Sequence, residues 1–288
     1  MNAIEFGIIG GSGLYELAGV EDGQDVRVET PFGEPSAPYR VGRLSGRSVA
    51  FLPRHGVDHN LSPTCINYRA NIFGFKKLGV RRLLSASAVG SMREGIAPRD
   101  IVLPDQFIDR TRHRPDTFFS DGVVAHVSMA DPFCPQLSET AVAAAARVPV
   151  LLHKGGVYLC MEGPQFSTRA ESVLYRAWDV AVIGMTNLQE ARLAREAELC
   201  YLTLALVTDY DCWREGQAVD VREILDNLRH NAAHAAMILK GIVGALPRER
   251  TCNCGEALVH AILTAPAAIP RATREKLAPI LAHRLPGA

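Results

Sequence analysis

The chain has 288 residues, of which 48% are hydrophobic and 22% are charged, a composition typical of a globular enzyme. Lysine plus arginine and aspartate plus glutamate each number 31. This balance argues against proteins that bind nucleic acid or membrane surfaces, because both need a basic excess. No apolar run reaches the length of a membrane span, and the first residues lack a basic segment followed by an apolar one. We therefore predict a cytoplasmic protein.

Strands and helices are predicted to alternate along the chain. Short apolar runs bounded by glycine and proline turns predict strands at residues 4–9, 26–30, 39–44, 49–52, 82–87, 157–160, 180–183 and 199–207. Apolar residues at helical spacing predict helices at residues 65–77, 136–147, 168–178 and 187–198, a long helix from near Val219, and short helices at 256–263 and 274–281. Val221, Ile224, Leu225, Leu228 and Leu239 share one apolar stripe of the long helix.

This order of elements predicts an α/β fold, with a single domain in which helices flank a central mixed β-sheet. The helical pattern weakens after Gly241, and residues 247–250 are typical of a linker. We therefore place the main domain at residues 1–246 and a short helical C-terminal extension at residues 247–288.

The seven cysteines are an odd number, and Cys65, Cys160 and Cys200 lie in apolar segments. This pattern favours reduced core thiols over a disulfide framework. Cys252 and Cys254 could instead bind a metal, form a small strained disulfide, or remain free in a surface tail. A zinc site needs two further ligands, and only His260 lies nearby in sequence. We therefore predict no metal site.

Two carboxylates, Asp209 and Asp211, follow the apolar run of residues 201–207. A helix cap or a surface turn would explain them structurally. In open α/β sheets, however, ligands bind in the crevice beyond the strand ends, and buried carboxylates there usually face a group that needs them. The pair is therefore a candidate functional site.

Hydrogen-bond donors follow four other predicted strands. The glycine-rich loop at residues 10–13 lacks the spacing of a triphosphate-binding loop or a dinucleotide fingerprint, and alone it predicts only a tight turn. Arginine can bind an oxyanion in bidentate fashion. The absence of a lysine and of obvious metal ligands favours inorganic phosphate over a nucleoside triphosphate with magnesium. The donors are Ser12, Arg54, His55, Ser87 and Thr186.

Several longer motifs resemble the trimeric purine nucleoside phosphorylases, and most closely their 5'-methylthioadenosine phosphorylase branch. The resemblance extends from about residue 6 to about residue 242. The motifs lie at residues 7–14, 30–33, 54–56, 67–71, 105–111, 162–167, 169–171, 184–186 and 208–213. A Cys-x-Cys near the C-terminus is also similar to some archaeal relatives.

The resemblance implies a role for each matching residue. Met185 would lie against the ribose and Phe166 near the purine, while Asp209 and Asp211 would face N7 and the 6-amino group. It also implies a homotrimer with active sites at subunit boundaries and a place in methionine and purine salvage, with phosphate as co-substrate and no cofactor. The residues implied to bind phosphate are Ser12, Arg54, His55, Ser87, Ala88 and Thr186.

Phosphorolysis would need an acid at Asp209. The leaving purine gathers negative charge, which a proton at N7 relieves. Asp209 can donate that proton only if burial and the neighbouring Asp211 raise its pKa, and we predict that they do.

Substrate preference depends on both ends of the nucleoside. In the resembling branches that prefer 6-oxopurines, glutamate tends to stand at the position of Ser167 and asparagine at that of Asp209, so the resemblance implies a 6-aminopurine here. For the methylthio group, the resemblance implies a pocket of Val221 and Ile224, with His126 from a neighbouring subunit, although core packing would also explain the two aliphatic residues. Trp213 is predicted to pack, and the cluster at residues 110–114 to form a solvated or interface loop.

Three alternatives remain open. A 6-oxopurine nucleoside or methylthioinosine phosphorylase would share the mechanism. A nucleosidase would attack the same bond with water and would need no phosphate site. A non-catalytic nucleoside-binding protein could share the fold, since fold does not fix function.

Overall fold

The computed structural model describes residues 4–14, 19–214 and 221–285, which form an eleven-stranded mixed sheet flanked by helices. The predicted fold class is confirmed. The strands are β1 (Phe6–Gly10), β2 (Glu21–Val26), β3 (Tyr39–Leu44), β4 (Arg47–Pro53), β5 (Arg82–Ser91), β6 (Ile101–Leu103), β7 (Gln106–Arg110), β8 (Leu152–Lys154), β9 (Val157–Met161), β10 (Val180–Gly184) and β11 (Cys200–Asp209).

Seven α-helices lie within the described residues and cover the sheet. They are α1 (Tyr68–Lys77), α2 (Pro135–Ala145), α3 (Arg169–Ala177), α4 (Asn187–Glu196), α5 (Val221–Ala245), α6 (Arg271–Lys276) and α7 (Ala278–Leu281). The predicted start of the long helix near Val219 lies outside the described residues. None of the described helices is long and apolar enough to cross a membrane.

Strand β5 is the centre of the sheet. It pairs in parallel with β1 on one side and with β11 on the other, and β1 pairs in parallel with β4. The carboxyl ends of these four strands therefore share one edge. Strand β10 pairs antiparallel with the end of β5, so that its own carboxyl end runs back along β5. This pairing brings the segments after β1, β4, β10 and β11 together around the end of β5.

Several predicted elements differ from those observed. The strand predicted at 26–30 is wrong, because the strand ends at Val26; β2 is an exposed, polar edge strand without an apolar signal. No α-helix occupies residues 256–263, where a 3-10 turn at Asn253–Glu256 leads into further turns. Leu277 separates the last predicted helix into α6 and α7, and the missing N–H of Pro279 suits the first turn of α7. Strands β6 and β8 were not predicted because each has only three residues. Strand β7 was not predicted because it is largely polar and partly exposed.

The C-terminal extension packs on the main body. Leu258, Ile269, Leu277 and Ile280 are buried in the same hydrophobic cluster as the strands β1, β4 and β5. Burial of these side chains away from water stabilises the attachment of the extension.

The cysteines only partly match the prediction of core thiols. Cys160 and Cys200 are buried, but Cys65 is exposed, because it precedes α1 in a surface loop.

Candidate active site

A cavity of about 610 Å³ lies at the edge where the carboxyl ends of β1, β4, β5 and β11 meet. It collects residues that are far apart in sequence. All six residues predicted to bind phosphate line it, namely Ser12, Arg54, His55, Ser87, Ala88 and Thr186. Parallel pairing of β1, β4 and β5 brings Ser12, Arg54, His55, Ser87 and Ala88 to this edge, and the antiparallel pairing of β10 with the end of β5 adds Thr186.

Arg54 is held in place by hydrogen bonds to neighbouring protein groups. Its Nε donates to Glu190 Oε1 at 2.5 Å, and its Nη2 donates to Ser85 Oγ at 2.6 Å and Glu190 Oε2 at 3.2 Å. Its Nη1 donates to the carbonyl of Ala86 at 3.0 Å. A guanidinium has five N–H groups, and these bonds use four, so one Nη1 N–H remains for an anion. A side chain at Gly11 would clash with Nη1, since its Cβ would come within 2.5 Å of that atom.

Glu190, which the sequence analysis missed, balances the charge of Arg54. Burial alone would lower the pKa of the guanidinium, but Glu190 raises it above its ordinary value. Ser85, Asn187 and Tyr201 each donate to Glu190 Oε2, at 2.9, 3.0 and 2.9 Å. A buried carboxylate with this many partners holds the arginine in a single position. The only sequence signal was an acid in the first turn of α4.

The N-terminus of α4 also faces the cavity. Thr186 is its N-cap, and its side chain makes no capping hydrogen bond. The positive end of a helix dipole and its free N–H groups favour an anion. Ser87 Oγ donates to Asn187 Oδ1 at 2.6 Å. Its hydroxyl must therefore rotate to donate to a ligand.

His55 is neutral near pH 7, because burial and the charge of Arg54 lower its pKa to about 4. Its Nδ1 lies 2.8 Å from the carbonyl of Leu61, which can only accept a hydrogen bond. The ring proton is therefore on Nδ1, and Nε2 is an acceptor. The ring of His59 stacks on that of His55, with 4.5 Å between centroids. Because its Nε2 is an acceptor, His55 can accept a hydrogen bond from a protonated oxyanion.

Asp209 and Asp211 line the same cavity. Burial raises the pKa of both carboxyls, and the charge of Asp211 raises that of Asp209 further. Hydrogen bonds from Thr208 Oγ1 and the Asp211 N–H, each 2.7 Å long, act in the opposite direction without cancelling the effect. The predicted direction of the Asp209 pKa is confirmed. An aspartic acid with a raised pKa can donate a proton.

The wall near Phe166 and Met185 is held by Arg114. This side chain is buried and donates to the carbonyls of Glu162 and Met185, and to Gln189 Oε1 at 3.0 Å. The prediction of a solvated or interface loop is therefore wrong for Arg114, although Arg110 and Arg112 are exposed. Nothing in the sequence of the basic cluster at residues 110–114 distinguishes the buried Arg114 from its exposed neighbours.

Other predicted residues border this wall. Phe166 lines the cavity and is 50% exposed. Ser167 is not among the residues that line the cavity, and its carbonyl accepts a hydrogen bond from Cys212 Sγ. Trp213 packs as predicted, with its Nε1 donating to the carbonyl of Ser91 at 2.8 Å.

The first turns of α5 form the apolar side of the cavity. Ile224 lines it, together with Leu225 and Leu228, which were not predicted as site residues. Val221 is 57% exposed and does not line the cavity of this chain. His126 does not line it either, and its backbone N–H donates to the carbonyl of Ala261. The predicted role of His126 concerns a neighbouring subunit.

Residues 5–244 match the sequence profile of the phosphorylase superfamily. The chain belongs to this family. The S-methyl-5'-thioadenosine phosphorylase of Koribacter versatilis is 57% identical over 274 residues, which cover 95% of this chain and 94% of that one. The enzyme of the same name from Geobacter sulfurreducens is 56% identical over 273 residues, covering 94% and 96%.

Solved phosphorylase structures are also similar. A methylthioadenosine phosphorylase from an antarctic soil metagenomic library superposes with a TM-score of 0.92 at 47% identity, covering 98% of this chain and 100% of that one. The Schistosoma mansoni methylthioadenosine phosphorylase in complex with adenine gives a TM-score of 0.84 at 34% identity, covering 88% and 96%. The family predicted from the motifs is confirmed.

Proposed function

We propose that the chain catalyses phosphorolysis of S-methyl-5'-thioadenosine to adenine and 5-methylthioribose 1-phosphate. One observation carries the proposal: a single cavity contains the fixed Arg54 and Asp209, a partly buried aspartic acid whose pKa is raised. Relatives that cover nearly the whole chain are named for this reaction, which supports the same substrate here.

Phosphate would bind at the Arg54 end. The remaining Nη1 N–H of Arg54, the hydroxyls of Ser12, Ser87 and Thr186, and the N-terminus of α4 supply donors. Neutral His55 accepts through Nε2 from the P–OH of monohydrogen phosphate. Because the negative charge of Glu190 offsets the positive charge of Arg54, the arginine binds phosphate less tightly than an unpaired arginine would. The bound phosphate therefore remains nucleophilic.

During the reaction, opposite charges develop on the sugar and on the leaving purine. As the bond between C1' and N9 breaks, its electron pair leaves with the purine and positive charge develops on the sugar. A phosphate oxygen stabilises that charge and forms the new bond to C1'. Asp209 gives its proton to N7, and the resulting carboxylate takes a proton back from solvent before the next turnover.

Specificity would come from the remaining walls. Asp211, which is hydrogen-bonded to Ser167, would face the 6-amino side of the base. Phe166 and Met185 would contact purine and ribose, and Ile224 would receive the methylthio group. Leu225 and Leu228 extend this apolar surface. A 5'-hydroxyl placed there would lose its hydrogen bonds to water, so the pocket favours a 5'-methylthio group.

The test is base release from methylthioadenosine, methylthioinosine, adenosine and inosine, each with and without phosphate. We expect phosphate-dependent release of adenine, fastest from methylthioadenosine. Release of hypoxanthine alone would replace the substrate with a 6-oxopurine nucleoside. Release that does not need phosphate would indicate a nucleosidase, and no turnover of any nucleoside would indicate a binding protein.

We further propose that the protein is cytoplasmic, forms a homotrimer and needs no cofactor for this reaction. We also propose that it acts in methionine and purine salvage.

Helix α3 supports self-association. Ala170, Val173 and Leu174 on this helix and Trp178 at its C-cap form an exposed apolar stripe. Light scattering should give three times the chain mass of 31.3 kDa; the mass of a single chain would contradict the trimer.

The domain boundary also remains a proposal. Residues 1–246 would form the phosphorylase domain, with residues 247–288 as its extension, and the family match at residues 5–244 supports this division.

A further inference from the structure

Four cysteines that the reaction does not use meet where the C-terminal extension joins the main body. Cys134 is the N-cap of α2, Cys200 is the first residue of β11, and Cys252 and Cys254 lie at the 3-10 turn of the extension. Their sulfur atoms all lie within 4.8 Å of one another. The Sγ atoms of Cys200 and Cys252 are 3.4 Å apart.

We propose that these four thiolates bind one zinc ion. Zinc–sulfur bonds of about 2.3 Å place the sulfurs of a tetrahedral site about 3.8 Å apart. The 3.4 Å contact and the 4.8 Å limit bracket that spacing. Four sulfur ligands select zinc over magnesium or calcium, which prefer oxygen.

The proposal replaces our prediction of no metal site. The two further ligands that Cys252 and Cys254 required come from Cys134 and Cys200, which are 118 and 52 residues before Cys252 in sequence. His260, the only ligand near in sequence, is exposed and does not belong to the group. All four cysteines are free thiols, three of them buried.

The surroundings favour a negatively charged centre, and four thiolates with Zn²⁺ carry a net charge of −2. Arg82 is paired in register with Cys200 and is 2% exposed, and its Nε has no hydrogen-bond partner among the described residues. Its Nη2 donates to the carbonyl of Pro247 at 2.8 Å, at the start of the extension. This unpartnered Nε–H would be available to donate to a thiolate sulfur of the centre, and the positive charge of the guanidinium would offset part of its negative charge. Cys134 also lies at the positive end of the eleven-residue α2.

Zinc would join three parts of the chain at one point: α2, β11 and the extension. Four thiol protons pass to solvent as the four zinc–sulfur bonds form, and no electron is transferred. None of the four cysteines lines the cavity, so the ion would stabilise the attachment of the extension and take no part in phosphorolysis.

The experiment measures metal in the full chain, purified anaerobically without reductant or chelator. Elemental analysis should give one zinc per chain. After replacement of zinc by cobalt, the visible spectrum should show the intense bands of a tetrahedral tetrathiolate. A chain without stoichiometric metal would overturn the proposal, whether its seven thiols titrate freely or some have formed disulfides. Stoichiometric iron in place of zinc would also overturn it.

Variants locate the ion. Cys254→Ser and Cys134→Ser should each reduce zinc to background, whereas Cys65→Ser, an exposed cysteine outside the cluster, should keep it. Zinc retained in both cluster variants would contradict the assigned ligands. Removal of zinc from the wild-type chain should lower its melting temperature, a readout that does not depend on nucleoside turnover.

Discussion

The two ends of the cavity differ in how they are built. At the Arg54 end, the side chains of Arg54, Ser87 and Thr186 are no more than 4% exposed, and Glu190 fixes the arginine. At the α5 end, Leu225 is 46% exposed and Phe166 is 50% exposed. One end is a pre-formed polar site, and the other is a partly open apolar surface.

This difference follows from the ligands that we assign to each end. An oxyanion has a fixed shape and is recognised by directed donors, which must be held in place to be effective. A methylthio group is recognised by contact with apolar surface, which has no such directional requirement. Changes at the polar end should therefore affect chemistry and folding, while changes on α5 should affect the choice of substrate.

The largest effect is expected from Asp209→Asn, which removes the proton donor. The rate of adenine release from methylthioadenosine should fall by about two to four orders of magnitude, because general acid catalysis contributes that much. Asp226→Asn, an exposed position on α5, is the matched control and should keep wild-type activity. Full activity in Asp209→Asn would refute the role of Asp209.

The next largest effect is expected from Glu190→Gln, which leaves the buried charge of Arg54 without its partner. The free energy of unfolding should fall by about 3–5 kcal/mol, and the KM for phosphate should rise. Denaturant unfolding and initial rates measure the two quantities. Glu94→Gln removes an exposed carboxylate 3.9 Å from Arg176 and should change neither. Unchanged stability and phosphate KM in Glu190→Gln would contradict a fixed polar end.

A smaller effect is expected from Leu225→Ser on α5. It should lower kcat/KM for methylthioadenosine by about 10- to 200-fold relative to adenosine, since a few apolar contacts contribute about 1–3 kcal/mol. Met237→Ser is the control, because Met237 is also 46% exposed on α5 but lies outside the cavity. An equal loss for both substrates would show that this surface does not recognise the 5' group.

The smallest effect is expected from pH. Asp209 acts in its protonated form, so activity should fall as pH rises through its raised pKa. The decrease should be at most about tenfold per pH unit, as for loss of a single proton. Asp209→Asn should lack this alkaline limb. If Asp209→Asn showed the same decrease of activity at alkaline pH, the decrease would be caused by titration of another group.

The sequence analysis identified Arg54 and Asp209 because each follows an apolar strand, and strand ends in such sheets meet at one edge. It missed Glu190 and Arg114, whose partners are set by tertiary contacts: Glu190 reaches Arg54 from a helix 136 residues away in sequence. The cysteine cluster was missed for the same reason. Strand β2 was misplaced because it is a polar edge strand, whereas the prediction of β3 matched its observed bounds.

The most direct test of the proposed reaction is phosphorus NMR of the chain incubated with methylthioadenosine and inorganic phosphate. We predict a new sugar-phosphate ester signal that grows in equal amount with adenine as the phosphate signal declines. Release of adenine without a new phosphorus signal would contradict phosphorolysis and would indicate that water attacks C1'.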